Sequence, residues 1–160
     1  MGRSTCLLLA LGFSLTGCVL RSSGGDDDGA ADASIDAISA SCLEALDHSD
    51  LTWIQDRVLQ PGCAGFTACH MGAASEAGGL SLERGQTHAQ LVGVDSDLFP
   101  QFKRVAPGDP ANSYLMIIVG QYPGPIDDKA GTMPYNSALL CKEKRDAMER
   151  WILAGAPNEI

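Results

Sequence analysis

An apolar run at the N-terminus limits how much of the chain can build a core. Arg3 precedes apolar residues 6–15, and the run closes on small residues, Thr16 and Gly17, before Cys18. A basic start, an apolar stretch too short to span a bilayer and a small-residue end together describe an export signal over residues 1–17. Residues 18–41 add little apolar surface. Ser22, Ser23, Gly24 and Gly25 lead into Asp26, Asp27, Asp28 and Gly29, followed by a mixture of alanine, serine and aspartate. Such a stretch buries too little to offset the entropy of ordering it, so it reads as a solvated linker. The core must come from residues 42–160. That is enough for one small domain, near the size at which a cofactor or a disulfide adds materially to stability.

The chain carries 20 acidic and 11 basic side chains, a formal charge of −9. A concentrated basic face would be needed to hold a phosphate backbone, and no basic run exists, so nucleic-acid binding is excluded. Asp26, Asp27, Asp28, Asp32 and Asp36 lie in the linker and say little about the domain. Consecutive carboxylates without alternating loop spacing make Asp26 to Asp28 a poor calcium cage. No stretch of about 18 apolar residues suggests a folded membrane span.

The end of the signal is more specific than export alone. Leu15-Thr16-Gly17-Cys18 resembles the bacterial lipoprotein signal, in which a leucine three residues before a cysteine precedes cleavage and diacylation of that cysteine. The resemblance implies lipid on Cys18 and a chain anchored at the cell envelope. Val19, where retained lipoproteins carry aspartate, implies the outer membrane, on its periplasmic or surface face. An ordinary secretory signal is the alternative. With Cys6 in the signal and Cys18 lipidated, Cys42, Cys63, Cys69 and Cys141 remain in an oxidising compartment, where four cysteines admit three pairings.

Periodicity predicts helices and few strands. Asp50 can cap a helix over residues 50–60, with Leu51, Ile54 and Val58 on one side and Pro61-Gly62 as the stop. A short helix is expected over 85–92. Residues 114–119 read as a buried helix closed by Gly120, although Ile117, Ile118 and Val119 also suit a strand. A last helix over 140–154 places Leu140, Ala147, Met148, Trp151 and Ile152 opposite Lys142, Glu143, Arg145, Asp146 and Glu149. The expected fold is all-α, a small helical domain with long loops.

The chemistry concentrates at Cys63-Ala64-Gly65-Phe66-Thr67-Ala68-Cys69-His70. A histidine directly after a cysteine meets half of what covalent haem attachment requires: the cysteine forms a thioether and the histidine ligates iron. The other half differs, with five residues between the cysteines instead of two. Two competitors use the same residues, a Cys63–Cys69 disulfide and a zinc site from Cys63, Cys69 and His70.

The order of short segments from residue 60 to 156 resembles the cytochrome c-like domains of exported bacterial lipoproteins. Gln60-Pro61 leads to Cys69-His70; Gly78-Gly79-Leu80-Ser81-Leu82 follows; then come Arg104-Val105-Ala106-Pro107-Gly108-Asp109-Pro110 with Ser113-Tyr114-Leu115, Gly131-Thr132-Met133-Pro134, and Trp151-Ile152-Leu153-Ala154-Gly155-Ala156. The resemblance implies covalent haem c on Cys63 and Cys69, iron held by His70 and Met133, and electron transfer by transient contact with exported redox proteins. It also implies terminal helices that cross, bringing Trp53 and Trp151 close as core residues. Arg104 is a candidate partner for a haem propionate, or else a surface arginine near the Pro107 turn. His48 and His88 read as surface or hydrogen-bonded histidines, either of which could replace Met133 as distal ligand; Met116 and Met148 read as core, and Met71 is too close to His70 to reach the opposite face. Under either the haem or the disulfide reading of Cys63 and Cys69, Cys42 and Cys141 pair, joining the start of the domain to its last helix. No Ser-His-Asp arrangement, phosphate loop or carboxylate pair supports an enzyme. A second functional reading is a haem-free, disulfide-bonded lipoprotein serving as a binding or structural module.

Overall fold

The computed structural model describes residues 38–65, 69–72 and 77–159. The signal, the lipidation candidate Cys18, the linker up to residue 37 and the centre of the cysteine loop, residues 66–68, lie outside them. Helices and connecting loops make up the described residues, among which the only β pairing is three isolated bridges, Val92 with Val105, Asp95 with Lys103 and Lys103 with Ser113.

Helix α1 spans Ala40–Glu44, with Ser39 capping it, and continues into a 3-10 turn, Ala45–Asp47. The second helix, α2, starts at Leu51–Ile54 and is capped by Asp50, whose carboxylate accepts from the Trp53 amide at 2.7 Å. It then widens into a π-helical stretch, Gln55–Leu59, and returns to α-helix over Gln60–Gly62. The sequence predicts a stop at Pro61, but the helix runs through it. Pro61 interrupts one rung of the amide-to-carbonyl ladder, and the Arg57 carbonyl four residues back accepts from Lys144 Nζ instead, at 3.3 Å. The widened turn leaves the Leu59 carbonyl accepting from both Cys63 and Ala64 at 2.8 Å, which fixes the start of the cysteine loop.

The later helices are shorter than periodicity predicts. Helix α3 covers Thr87–Leu91, because Val92 turns extended (ψ 120°) to bridge Val105. A 3-10 turn, Pro110–Asn112, capped by Asp109, leads into α4, Tyr114–Ile118. Helix prevails over strand in this β-branched run, and Gly120, at φ 74°, ends it. Helix α5 covers Lys142–Leu153 and is closed by Gly155 at φ 93°.

Helix α5 organises the core. Ala147, Met148, Trp151 and Ile152 are fully buried on one face, and the helix packs on α1 and its 3-10 turn, on α2 and on α4. Leu51, Trp53, Ile54, Val58 and Leu59 of the second helix join the same cluster, with Leu91, Val105, Met116 and Val119. Trp53 and Trp151 therefore belong to one core, and Met116 and Met148 are wholly enclosed. The Trp151 indole N–H donates to the Pro157 carbonyl at 3.0 Å, folding the C-terminus back over the helix.

Helix α1 buries no side chain. A disulfide between Cys42 and Cys141, 99 residues apart with Cα atoms 6.3 Å from each other, ties it to the start of α5. Arg150 adds hydrogen bonds to the carbonyls of Ala45, Leu46 and His48. Loop closure over this separation constrains the unfolded chain by about 4–5 kcal/mol at most. Replacing both cysteines by alanine is expected to remove most of that, read as a lower guanidinium midpoint, and to speed amide exchange in α1. The Asp50 cap has its own signature. Burial pushes its carboxyl up, but bonds from the Trp53 amide and the His48 ring outweigh this and hold it below the ordinary 3.8. Its stabilisation is complete above 3.8 and drains away as pH falls through the lowered folded value. Asp50→Ala is therefore expected to cost about 1 kcal/mol at pH 7 and progressively less below pH ~4, measured by urea unfolding across that range.

Candidate functional site

The cysteine loop starts where α2 ends. Cys63 sits half-buried against the core, and its carbonyl accepts from the His70 amide at 3.0 Å, so the loop closes on itself across the insert between the two cysteines. Cys63 and Cys69 are free thiols. Burial, reinforced by the nearby Cys69, pushes the Cys63 thiol up to about 11.

His70 is held from both of its polar ends. Its carbonyl accepts from the Leu82 amide at 2.8 Å, and its Nδ1 lies 3.1 Å from the Leu80 carbonyl, a contact in which Nδ1–H must be the donor. That bond selects the tautomer with a free lone pair on Nε2, the arrangement in which histidine ligates a metal. Burial favours the neutral ring most, the Leu80 bond acts in the opposite sense, and the Arg104 charge adds to burial; the net effect lowers the imidazole pKa.

The segment that supports His70 depends on a residue that sequence reading passed over. Gln55 is almost fully buried on α2; its Nε2 donates to the Leu82 carbonyl at 2.8 Å, and its Oε1 accepts from the Thr87 hydroxyl of α3. Leu82 in turn donates to His70. Gln55 follows Leu51 by four residues, so its place on the buried face was legible, whereas its partners from residues 82 and 87 were not.

Backbone hydrogen bonds connect Arg104, α4 and Met133. Arg104 is close enough for its charge to act on His70, and its carbonyl accepts from the Leu115 amide at 3.0 Å. Leu115 and Ile118 are three residues apart on α4, and the Ile118 carbonyl accepts from the Met133 amide at 2.8 Å. Cys63, Leu80, Leu115, Ile118 and Met133 are all partly exposed and packed against the core. Of the residues a haem group would use, the His70 tautomer can ligate a metal and Cys63 and Cys69 are free to form thioethers.

No protein-family model, curated protein or solved structure matches the chain.

Other expected residues fall elsewhere. Arg104 is not a surface arginine: its side chain is 13% exposed, with Nη1 donating to the Gln90 carbonyl at 2.9 Å and Nη2 paired with Asp97 at 2.6 Å. His88 gives its Nε2 to the Ala156 carbonyl at 2.9 Å, and His48 stacks on Trp53 at 4.7 Å while bonding Asp50, so both rings have structural partners. Among the described residues, Cys63, Cys69 and His70 do not bring three donor atoms within 4.8 Å of one another, which disfavours a compact zinc site. An open depression of about 610 Å³ is lined by Gln60, Met71, Glu83, Arg84 and Gln86. Its rim includes neither Cys63, Cys69, His70 nor Met133.

The thiol environment can be checked directly. With the Cys63 pKa near 11, only about one molecule in a thousand carries a Cys63 thiolate at pH 8. In the haem-free protein, Cys63 is expected to alkylate with iodoacetamide at least tenfold more slowly than in the denatured chain, as followed by peptide mass spectrometry.

Proposed function

We propose that residues 42–160 form a cytochrome c-like domain that carries covalent haem and transfers electrons between exported redox proteins. On this reading the chain is a lipoprotein, held by lipid on Cys18 at the outer membrane. The observation that carries it is the hydrogen bond from His70 Nδ1–H to the Leu80 carbonyl, which leaves Nε2 free on the residue that follows Cys69.

The roles follow from the donors. Cys63 and Cys69 would hold the group through thioethers, and His70 Nε2 would be the proximal ligand. Met133, whose amide is fixed by Ile118, would offer its thioether as the distal ligand. The bound group would supply a one-electron couple between two oxidation states of iron. A soft thioether would favour the reduced state and raise the potential. Electron transfer of this kind needs no substrate pocket, and partners meet such a protein through small, transient interfaces.

A second reading is supported by the core itself. Cys63 and Met133 already pack against an apolar cluster, and the Cys42–Cys141 bridge stabilises it without a cofactor. A haem-free binding or structural module fits these features.

A pyridine haemochrome spectrum separates the two. The chain exported from a host with cytochrome c maturation is expected to give a c-type spectrum that persists through denaturation. His70→Ala is expected to lose the haem, or hold it high-spin, and Met133→Ala to lose low-spin character. A colourless wild-type chain, beside a coexpressed cytochrome that matures normally, overturns the electron-transfer reading in favour of the haem-free module.

A further inference from the structure

Among the buried residues of α2, Leu51, Trp53, Ile54, Val58 and Leu59 are apolar and Gln55, 2% exposed, is not. A buried amide destabilises a fold unless its ends are paired, whereas an apolar side chain of the same size fills the space without that condition. Both ends of Gln55 are paired, and to different segments: Nε2 donates to the Leu82 carbonyl at 2.8 Å and Oε1 accepts from the Thr87 hydroxyl. Because a carbonyl can only accept, the amide has a single orientation in which both bonds form.

The segment that Gln55 pins is the one that grips His70. Residues 80–82 hold that histidine twice, its main chain through the Leu82 amide at 2.8 Å and its ring through the Leu80 carbonyl, 3.1 Å from Nδ1. The other end of the cysteine loop is set from the same stretch of helix. Leu59 closes the π-helical turn that Gln55 opens, and its carbonyl accepts from the amides of Cys63 and Ala64. Widened turns of this kind occur frequently at functional sites. Residues 55–59 thus hold both ends of the 63–70 loop, Cys63 directly and His70 through 80–82. We propose that Gln55 is a positioning residue: by pinning the Leu82 carbonyl it keeps His70 in the Nδ1–H tautomer, so that Nε2 is ready to ligate before any metal-bearing group arrives. What His70 ligates rests on the haem reading above; the bond and its effect on the ring do not. In the other tautomer the proton sits on the nitrogen that must ligate, so a ring released from Leu80 is a poorer ligand.

The test uses the full chain exported from a host without cytochrome c maturation, and is therefore read on haem-free protein. Gln55→Met keeps a side chain of similar length and removes both bonds. Long-range 15N–1H spectra of His70, recorded at about pH 8 where the ring is neutral, are expected to show the Nδ1–H tautomer alone in wild type and both tautomers in Gln55→Met. The Leu82 amide is expected to exchange about tenfold faster in the variant, beyond any change at Trp151 and Ile152, which report the core as a whole. An unchanged tautomer, or Leu82 protection lost only in step with Trp151 and Ile152, overturns the proposal and leaves Gln55 a packing residue. Thr87→Val loosens the amide from its other end and is expected to move both readouts in the same direction by a smaller amount, about threefold in Leu82 exchange. If Gln55→Met does not fold, Thr87→Val decides: wild-type values for both readouts overturn the proposal. In chain from a host with cytochrome c maturation, Gln55→Met is expected to raise the high-spin share severalfold, and an equal share overturns the purpose given to the bond. Wild type that takes up no haem defeats the electron-transfer reading alone, because the tautomer comparison is still read on the haem-free chain.

Discussion

Burial of one face of α5 is the interaction on which the remaining structure rests. Ala147, Met148, Trp151 and Ile152 leave water completely, and every other helix except α3 packs directly on this helix or on the turns that flank it. A fully buried tryptophan removes more apolar surface than any other residue, and its truncation typically costs about 3–5 kcal/mol. The indole is also satisfied at its polar end by Pro157, so its burial leaves no donor unpaired. The Ile152 carbonyl accepts from Gly108, which anchors the 106–113 turn to the same helix and thereby sets where α4 begins. The position of Met133 follows at two removes: α5 places α4, and α4 places Met133 through Ile118.

The apolar stripe over 140–154 was legible because its period is local: each residue's burial is foretold by the residue three or four places away. The Asp50 cap was legible for the same reason, since its acceptor and donor lie three residues apart. What the sequence did not reveal arises from pairings distant along the chain. The widening of α2 at Gln55 makes sense only once Leu82 and Thr87 supply its partners. The shortening of α3 follows from a bridge to Val105, thirteen residues on.

The candidate site divides in the same way. Adjacent Cys69 and His70 announce their chemistry in the sequence, as does Met133 before Pro134. The tautomer of His70 does not, because a carbonyl ten residues away decides it. Arg104 read as a propionate partner or a surface residue, and the groups it pairs with, the Asp97 carboxylate and the Gln90 carbonyl, lie seven and fourteen residues away. Polar pairing is where sequence reading runs out: it depends on which neighbours remain unused after folding.

The Cys42–Cys141 bridge also determines how the domain would respond to force. Tension that enters from the N-terminal side meets Cys42 ahead of α2 and the core, and passes through sulfur into α5. The enclosed loop, whose contour length is roughly 330 Å when drawn straight, lies outside that load path. Stretching between the two ends can peel away residues before Cys42 and after Cys141, but it cannot pay out the loop that carries the cysteine motif, α4 and Met133. Mechanically, the part of the chain with the site is a closed ring, and the load bypasses it.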